Sequence, residues 1–364
     1  MAETVAHVIG ARPNFMNAAP VISALRGRGV QQRVIHTGQH YDATMSDVFF
    51  RDLGLPEPDI NLGVGSGTQA GQTAALMVAL ERTFLDVRPA LAVVYGDINS
   101  TIAAALVAAK IGLPIAHVEA GLRSFDDTMP EEVNRRVTDL LSDLLFVTSP
   151  EGVDNLIATG VRADRIHFVG NPMIDTLLAN LDRFDAERAR ATFDLPERYA
   201  VATMHRPANV DEPAQAARIA TMLREISELV TLVVPLHPRG RPTLEAAGLA
   251  TSDRLRIVDP LGYVEFLSLV RGAALVITDS GGIQEEAPAF GIPVLVLREV
   301  TERPEGVEAG TLKLVGTATN RIVQETTRLL EDESAYRAMA KAANPFGDGH
   351  AAENIVRALL NYKP

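Results

Sequence analysis

The sequence predicts an α/β fold made of two doubly wound, Rossmann-like domains, and three observations carry that prediction. Short apolar, β-rich runs alternate with helix-like segments almost from end to end, the pattern of parallel strands joined by crossover helices. The runs are apolar throughout, as expected of strands covered on both faces. The pattern also breaks once near the middle and restarts, in a chain of 364 residues, longer than one core ordinarily supports.

Taken in order, the first series of strands reads TVAHVIG, QRVIHT, ALAVVYG, PIAHVE, LLFVT and IHFVG, separated by helical stretches such as STIAAALVAAKIG and PEGVDNLIATG. The second series reads YAVATM, TLVVPL, LRIVD, ALVIT and PVLVL. Between them NPMIDTLLANLDRFDAERARATFDLPERY reads as a helix followed by a charged, exposed connection, which puts the boundary within 172–198. The last segment, AAENIVRALLNYK, is an amphipathic helix able to pack on either domain. Grouped with the first, it gives domains of 1–172 plus 350–364 and of 173–349. The two domains are expected to face each other across a cleft, with ligands beyond the C-terminal ends of the strands.

Composition narrows the function. Hydrophobic residues make up 47% of the chain, enough for two ordinary cores. No apolar run reaches the roughly 18 residues of a membrane-spanning helix, and MAETVAHVIG has neither the basic start nor the cleavage site of a signal peptide. With no cysteine there is no disulfide, thiolate metal site or cysteine nucleophile, and a cytoplasmic protein is expected. The net charge is −12 and no basic stripe is visible, which speaks against nucleic acid as a partner. An anionic ligand would therefore need a few local cations working against the global field.

Those cations and several carboxylates stand at strand ends. Arg12 follows the first strand in GARPNF, where glycine and proline fix the loop and favour a phosphate ligand. Asp97 ends the strand in YGDINST; alone it reads as a helix-capping carboxylate worth ~1 kcal/mol. HVEAGLRS brings Glu119 and Arg123. In MPEEVNRRVTD, Pro130 opens a helix on which Glu131 and Arg135, four apart, share a face. The second series ends strands with His205 and Arg206 in TMHRPANVD and with His237 in PLHPRGR. No metal site is expected, since HExxH and comparable spacings are absent. LGVGSGT at 62–68 is glycine-rich without the strand–GxGxxG–helix context of a dinucleotide fold, and no P-loop is present.

The stretch TDSGGIQEEAPAF holds the most information. Ser280, Gly281 and Gly282 form a strand-to-helix turn whose free N–H groups and partial positive charge suit a diphosphate. Glu285 and Glu286 follow within the first turn or so of the helix. Two carboxylates beside an anion are electrostatically awkward unless one accepts hydrogen bonds from sugar hydroxyls. The turn therefore reads as a nucleotide-sugar site, with a glutamate on the ribose.

Almost the whole chain resembles the non-hydrolysing UDP-N-acetylglucosamine 2-epimerases, through GARPNF, TGQHYD, YGDINST, HVEAGLRS, PEEVNR, FVGNPMIDT, TMHRPANV, TDSGGIQEEAP and VLVLREVTERPEGVEAGT. The resemblance implies the GT-B architecture, a UDP-sugar substrate, no metal or redox cofactor, and a homodimer. It implies elimination of UDP to 2-acetamidoglucal and re-addition with the proton returned to the other face of carbon 2. By resemblance Asp97, Glu119 and Glu131 are the acid/base residues, with His205 in the catalytic set and also on the diphosphate. Arg12, Arg135 and the Ser280–Gly282 turn hold the diphosphate, Glu286 the ribose, and Asn17, His237 and Arg303 complete the substrate-binding set. Many members carry lysine where this chain has Asn17, which keeps hydrogen bonding and removes a cation. The stretch YDATMSDVFF after Gln39 and His40 differs from the commonest bacterial version, so activation by substrate is not expected. A hydrolysing epimerase, a GT-B glycosyltransferase and a non-catalytic nucleotide-sugar sensor are the competing readings. Three carboxylates at successive first-domain positions count against the transferase.

Overall fold

The computed structural model describes residues 4–38, 50–236, 238 and 240–363. The chain forms two compact units, Met1–Leu178 with Phe346–Pro364, and Ala179–Pro345. Among the described residues the first carries seven strands, β1 (Thr4–Ile9), β2 (Gln31–His36), β3 (Ile60–Asn61), β4 (Leu91–Tyr95), β5 (Ile115–Ala120), β6 (Leu144–Val147) and β7 (Ile166–Phe168). They are all parallel, in the order β3-β2-β1-β4-β5-β6-β7. The second carries β8 (Tyr199–Thr203), β9 (Thr231–Pro235), β10 (Leu255–Val258), β11 (Leu275–Thr278), β12 (Val294–Val296) and β13 (Leu312–Leu314), in the parallel order β10-β9-β8-β11-β12-β13. Both sheets are doubly wound. Strand order reverses between β1 and β4 in one and between β8 and β11 in the other, where such sheets hold ligands.

The apolar strand runs fold this way because helices cover both faces. Every residue of β4 is buried, and so are all four of β6 and of β11. The first core gathers Ala6, Val8, Ile35, Leu76, Leu80, Ala92 and Val94, and the second Ala202, Ile219, Leu223, Leu232, Val234 and Ile277. Among the described residues no helix is long and apolar enough to cross a membrane.

Two features differ from the sequence reading. The connection after the helix Pro172–Ala179 is not simply exposed chain. It contains a further helix, Ala186–Thr192, and Phe184 is buried with its ring 5.9 Å from that of Tyr263 and 5.8 Å from that of Phe290. Its charged residues conceal buried apolar anchors, Phe184 and Leu195, which a charge count overlooks. The short edge strands β3 and β13 also had no counterpart in the reading. The glycine run 62–68 pairs with the loop after β2, Val64 N–H on Thr37 O at 3.1 Å and Gly65 N–H on Gly38 O at 3.0 Å, so its glycines serve backbone contact.

The C-terminal helix Ala351–Asn361 packs against the helix Arg12–Gly27 in the first unit. Asp175 accepts the N–H groups of Ala351 and Ala352 at 3.1 and 2.7 Å and so caps it.

Candidate active site

In the first unit Asp97 and Glu119 lie at the ends of β4 and β5, with Arg135 and Asn17 bonded to them. Asp97 lies in the turn after β4 with its side chain 33% exposed, and Nε of Arg135, 5% exposed, donates to it at 2.9 Å. Arg135 also reaches Glu132 at 2.7 Å. Glu132 is buried and accepts from Ser124 N–H at 2.9 Å. Helical spacing pointed to Glu131 as the face-mate of Arg135; Glu131 is exposed in the first turn of the helix Pro130–Leu141. The guanidinium of Arg135 thus orients Asp97 from below. Asn134 donates to the Asp97 carbonyl at 2.8 Å and fixes the same turn.

Glu119 has φ +74°. The β5–β6 ladder steps from Val118↔Phe146 to Ala120↔Val147, which leaves Glu119 as the extra residue of a bulge. Its carboxylate is turned toward Gly96, where a Cβ would stand 3.2 Å from Oε2. Nδ2 of the buried Asn17 donates to the same oxygen at 3.1 Å, and Oδ1 of Asn17 is buried without a hydrogen-bond partner among the described residues. Asn14, donating to Tyr95 O at 2.9 Å and accepting Gly10 N–H at 3.1 Å, ties the loop after β1 to the end of β4.

In the second unit Asp279, fully buried after β11, organises the loop after β8. It accepts His205 N–H at 3.1 Å, Arg206 N–H at 3.0 Å and Asn209 Nδ2 at 2.9 Å. Nδ1 of His205 lies 2.9 Å from Oδ1 of Asp279, and the histidine side chain is 48% exposed. A donor at Nδ1 leaves Nε2 as the outward atom, a carboxylate-oriented imidazole. Burial pushes the Asp279 carboxyl up, but the hydrogen bond and charge of His205, with Asn209 and the Arg206 N–H, bring it below its ordinary value.

The helix Gly281–Ala289 begins at the N-cap Ser280. By helix geometry its first N–H groups have no intrahelical acceptor. Among the described residues, a Cβ added to Gly281 would meet nothing within 4 Å beyond its own helix backbone and chain neighbours. The two glutamates fall beyond the first turn and are both buried, so they are not complementing the dipole from the surface. Glu285 is ion-paired with Nε of Arg303, itself buried, which resolves the awkwardness of two adjacent acids by neutralising one of them. Glu302, 2.7 Å from Arg298 and 3.5 Å from Arg206, is pushed up by burial but held well below the carboxylate range by those cations and Arg303.

His237, the side chain of Arg12, Gln39, His40 and the stretch after them as far as residue 49 lie outside the described residues. Sequence reasoning missed Glu132, Asp139, His117 and Asp279. Glu132, Arg135 and Asp139 do share helical spacing, and Asp279 adjoins the glycine turn, but the partners of Asp139, His117 and Asp279 lie 16 to 74 positions away.

Residues 23–360 match the family described as UDP-N-acetylglucosamine 2-epimerase. A Methanocaldococcus jannaschii protein of that name is 38% identical over 97% of either chain. A Pseudomonas aeruginosa UDP-2,3-diacetamido-2,3-dideoxy-D-glucuronate 2-epimerase is 40% identical over 97% of this chain and 98% of its own. The crystal structure of the M. jannaschii UDP-GlcNAc 2-epimerase in complex with UDP-GlcNAc and UDP superposes with a TM-score of 0.90, covering 98% of this chain and 99% of that one at 38% identity. That of the Neisseria meningitidis enzyme bound to UDP-GlcNAc gives 0.92 at 31% identity, over 99% and 100%.

Proposed function

The chain belongs to the UDP-N-acetylglucosamine 2-epimerase family, and from that premise we propose that it interconverts UDP-N-acetylglucosamine and UDP-N-acetylmannosamine. The observation that carries the proposal is the pair of carboxylates, Asp97 and Glu119, at the ends of the adjacent strands β4 and β5, each held by a buried partner.

The proton on carbon 2 is not next to a carbonyl, so direct abstraction is slow. Elimination avoids the difficulty. A base takes the proton, the C2–H electron pair forms the C1=C2 bond, and the C1–O bond breaks with its electrons leaving on UDP. Addition of UDP back to C1, with a proton delivered to the opposite face of C2, completes the inversion. Asp97, Glu119 and Glu131 are the carboxylates for these transfers. In the second unit, the N–H groups at Gly281 and the Asp279-oriented His205 suit the charge that develops on the diphosphate, and Glu286 suits the ribose. The reading includes Arg12, Asn17 and His237 as substrate ligands and a cytoplasmic homodimer without metal or redox cofactor, on the strength of the family resemblance.

A second substrate is favoured by the 40% identity to the diacetamido-glucuronate enzyme, whose name specifies the same carbon. Incubation with each UDP-sugar in deuterated water, followed by proton NMR, tests both. Loss of the carbon-2 proton signal with appearance of the epimer supports the proposal. Free N-acetylmannosamine and UDP would establish the hydrolysing reaction instead, and binding without exchange would overturn the catalytic reading.

A further inference from the structure

One buried carboxylate grips β5 on both sides of Glu119. Asp139, on the helix Pro130–Leu141, takes Nδ1 of His117 at 2.7 Å on Oδ1 and the N–H of Gly121 at 3.2 Å on Oδ2. Arg123 adds an ion pair at 2.7 Å on Oδ2. His117 is fully buried, and its Nε2 donates to the carbonyl of Gly96 at 2.8 Å. Residues 117 and 121 are thus drawn to a single side chain, and Glu119 lies midway between them at φ +74°. A non-glycine residue in that region persists only where its surroundings over-determine it. Here the determination is visible: the chain between the two gripped residues is one residue too long for the ladder, and the excess is the bulge at Glu119.

We propose that Asp139 and His117 are positioning residues for the proton-transfer carboxylates. Asp139 spans the bulge and keeps Glu119 left-handed. His117 ties that bulge to the Gly96–Asp97 turn, so Asp97 and Glu119 hold one mutual geometry. Neither positioning residue touches the reacting atoms. The catalytic half of the inference rests on the epimerase reading; the structural half does not. With the grip released, β5 regains a regular pleat, and the Glu119 side chain turns off the face that Asn17 and Gly96 occupy, because a one-residue shift in a strand exchanges its faces.

The test pairs a crystal structure of Asp139→Asn with its kinetics. The substitution keeps the shape and loses one acceptor and the charge. Glu119 is expected to leave positive φ or to lose its bond to Asn17. Carbon-2 exchange should fall about tenfold or more in kcat, as misplacement of a transfer group predicts, with KM and UDP affinity within about threefold. A Glu119 unmoved in the variant, with kcat per folded molecule within about twofold of wild type, overturns the proposal even if the melting temperature drops. If the wild type binds UDP-sugar but exchanges no proton, the epimerase reading fails, and the position of Glu119 in the variant still decides the structural half. Should Asp139→Asn not yield folded protein, His117→Gln is judged by the same two readouts.

Discussion

Nδ2 of Asn17 donates to Oε2 of Glu119 across 3.1 Å, linking the helix after β1 to the bulge in β5. The donor is a neutral amide, so this bond orients the carboxylate without itself adding a positive charge. Asn17→Leu, similar in volume but without the donor, is expected to lower carbon-2 exchange about tenfold, the effect of losing one hydrogen bond of roughly 1.5 kcal/mol to a charged group. Glu119→Gln should cost about 10²–10⁴-fold if Glu119 transfers a proton. Glu119→Gln should keep UDP affinity, measured by calorimetry beside the NMR exchange rate. Full exchange by the glutamine variant would remove Glu119 from the catalytic set.

Gly281 offers a cleaner separation of folding from binding. No described atom lies within 4 Å of the Cβ it lacks, so packing does not demand glycine there. Gly281→Ala should leave the melting temperature unchanged or slightly raised, since alanine favours helix by up to about 1 kcal/mol. UDP affinity should fall about tenfold or more, because the backbone can no longer come close to the diphosphate. Unchanged affinity would place the diphosphate elsewhere.

Asp279 has no role in sequence reasoning and a large one in the structure. Asp279→Ala strands the N–H groups of His205 and Arg206 and the amide of Asn209, at a cost of about 2–4 kcal/mol of stability by analogy with other buried donors left unpaired. UDP binding should weaken as well, since the histidine loses its orienting partner. Chemical denaturation and calorimetry report the two effects separately. A stable variant would contradict the account of that loop.

His7 predicts an acid sensitivity unrelated to catalysis. It is fully buried between Tyr95 and Gln32, and burial lowers it from 6.5 to about 4 against the opposing pull of Gln32. The unfolded chain therefore binds a proton at higher pH than the folded one. The stabilising difference is complete above pH 6.5 and is lost as pH falls through that window to about 4, about 3 kcal/mol in all. His7→Leu pays a pH-independent penalty for the stranded Tyr95 hydroxyl. The gap between wild-type and variant melting temperatures should accordingly narrow from pH 7 toward pH 4.5. A constant gap would show that His7 is not held neutral.

Sequence periodicity located strands such as β4, β6 and β11 because each is apolar and buried on both faces for four or more residues. It missed β3 and β13, edge strands of two and three residues, because so few residues carry no period. Strand-end reasoning located Asp97, Glu119, His205 and the Ser280 turn because a doubly wound sheet collects chemistry at one end of its strands. Their supports were not legible. Arg135 on Asp97, His117 on Gly96 and Asp279 on the His205 loop join residues 38, 21 and 74 positions apart, and no local spacing encodes such pairs. Glu285 and Glu286 showed the limit most directly: the sequence placed two acids at a helix start, and only the fold shows that one belongs to Arg303.

The cap that Asp175 places on the helix Ala351–Asn361 bears on how the protein is made. The first unit is interrupted by the whole of the second, Ala179–Pro345. During synthesis its sheet emerges first, yet the helix that packs on Arg12–Gly27 emerges only after the second unit has been made. The inserted unit is contiguous and can reach its native state on its own schedule, while the unit begun earlier waits with the helix Arg12–Gly27 partly uncovered. Newly made chains should therefore depend on chaperones through their oldest portion, and a frameshift near residue 346 should destabilise the unit begun first while sparing the contiguous one.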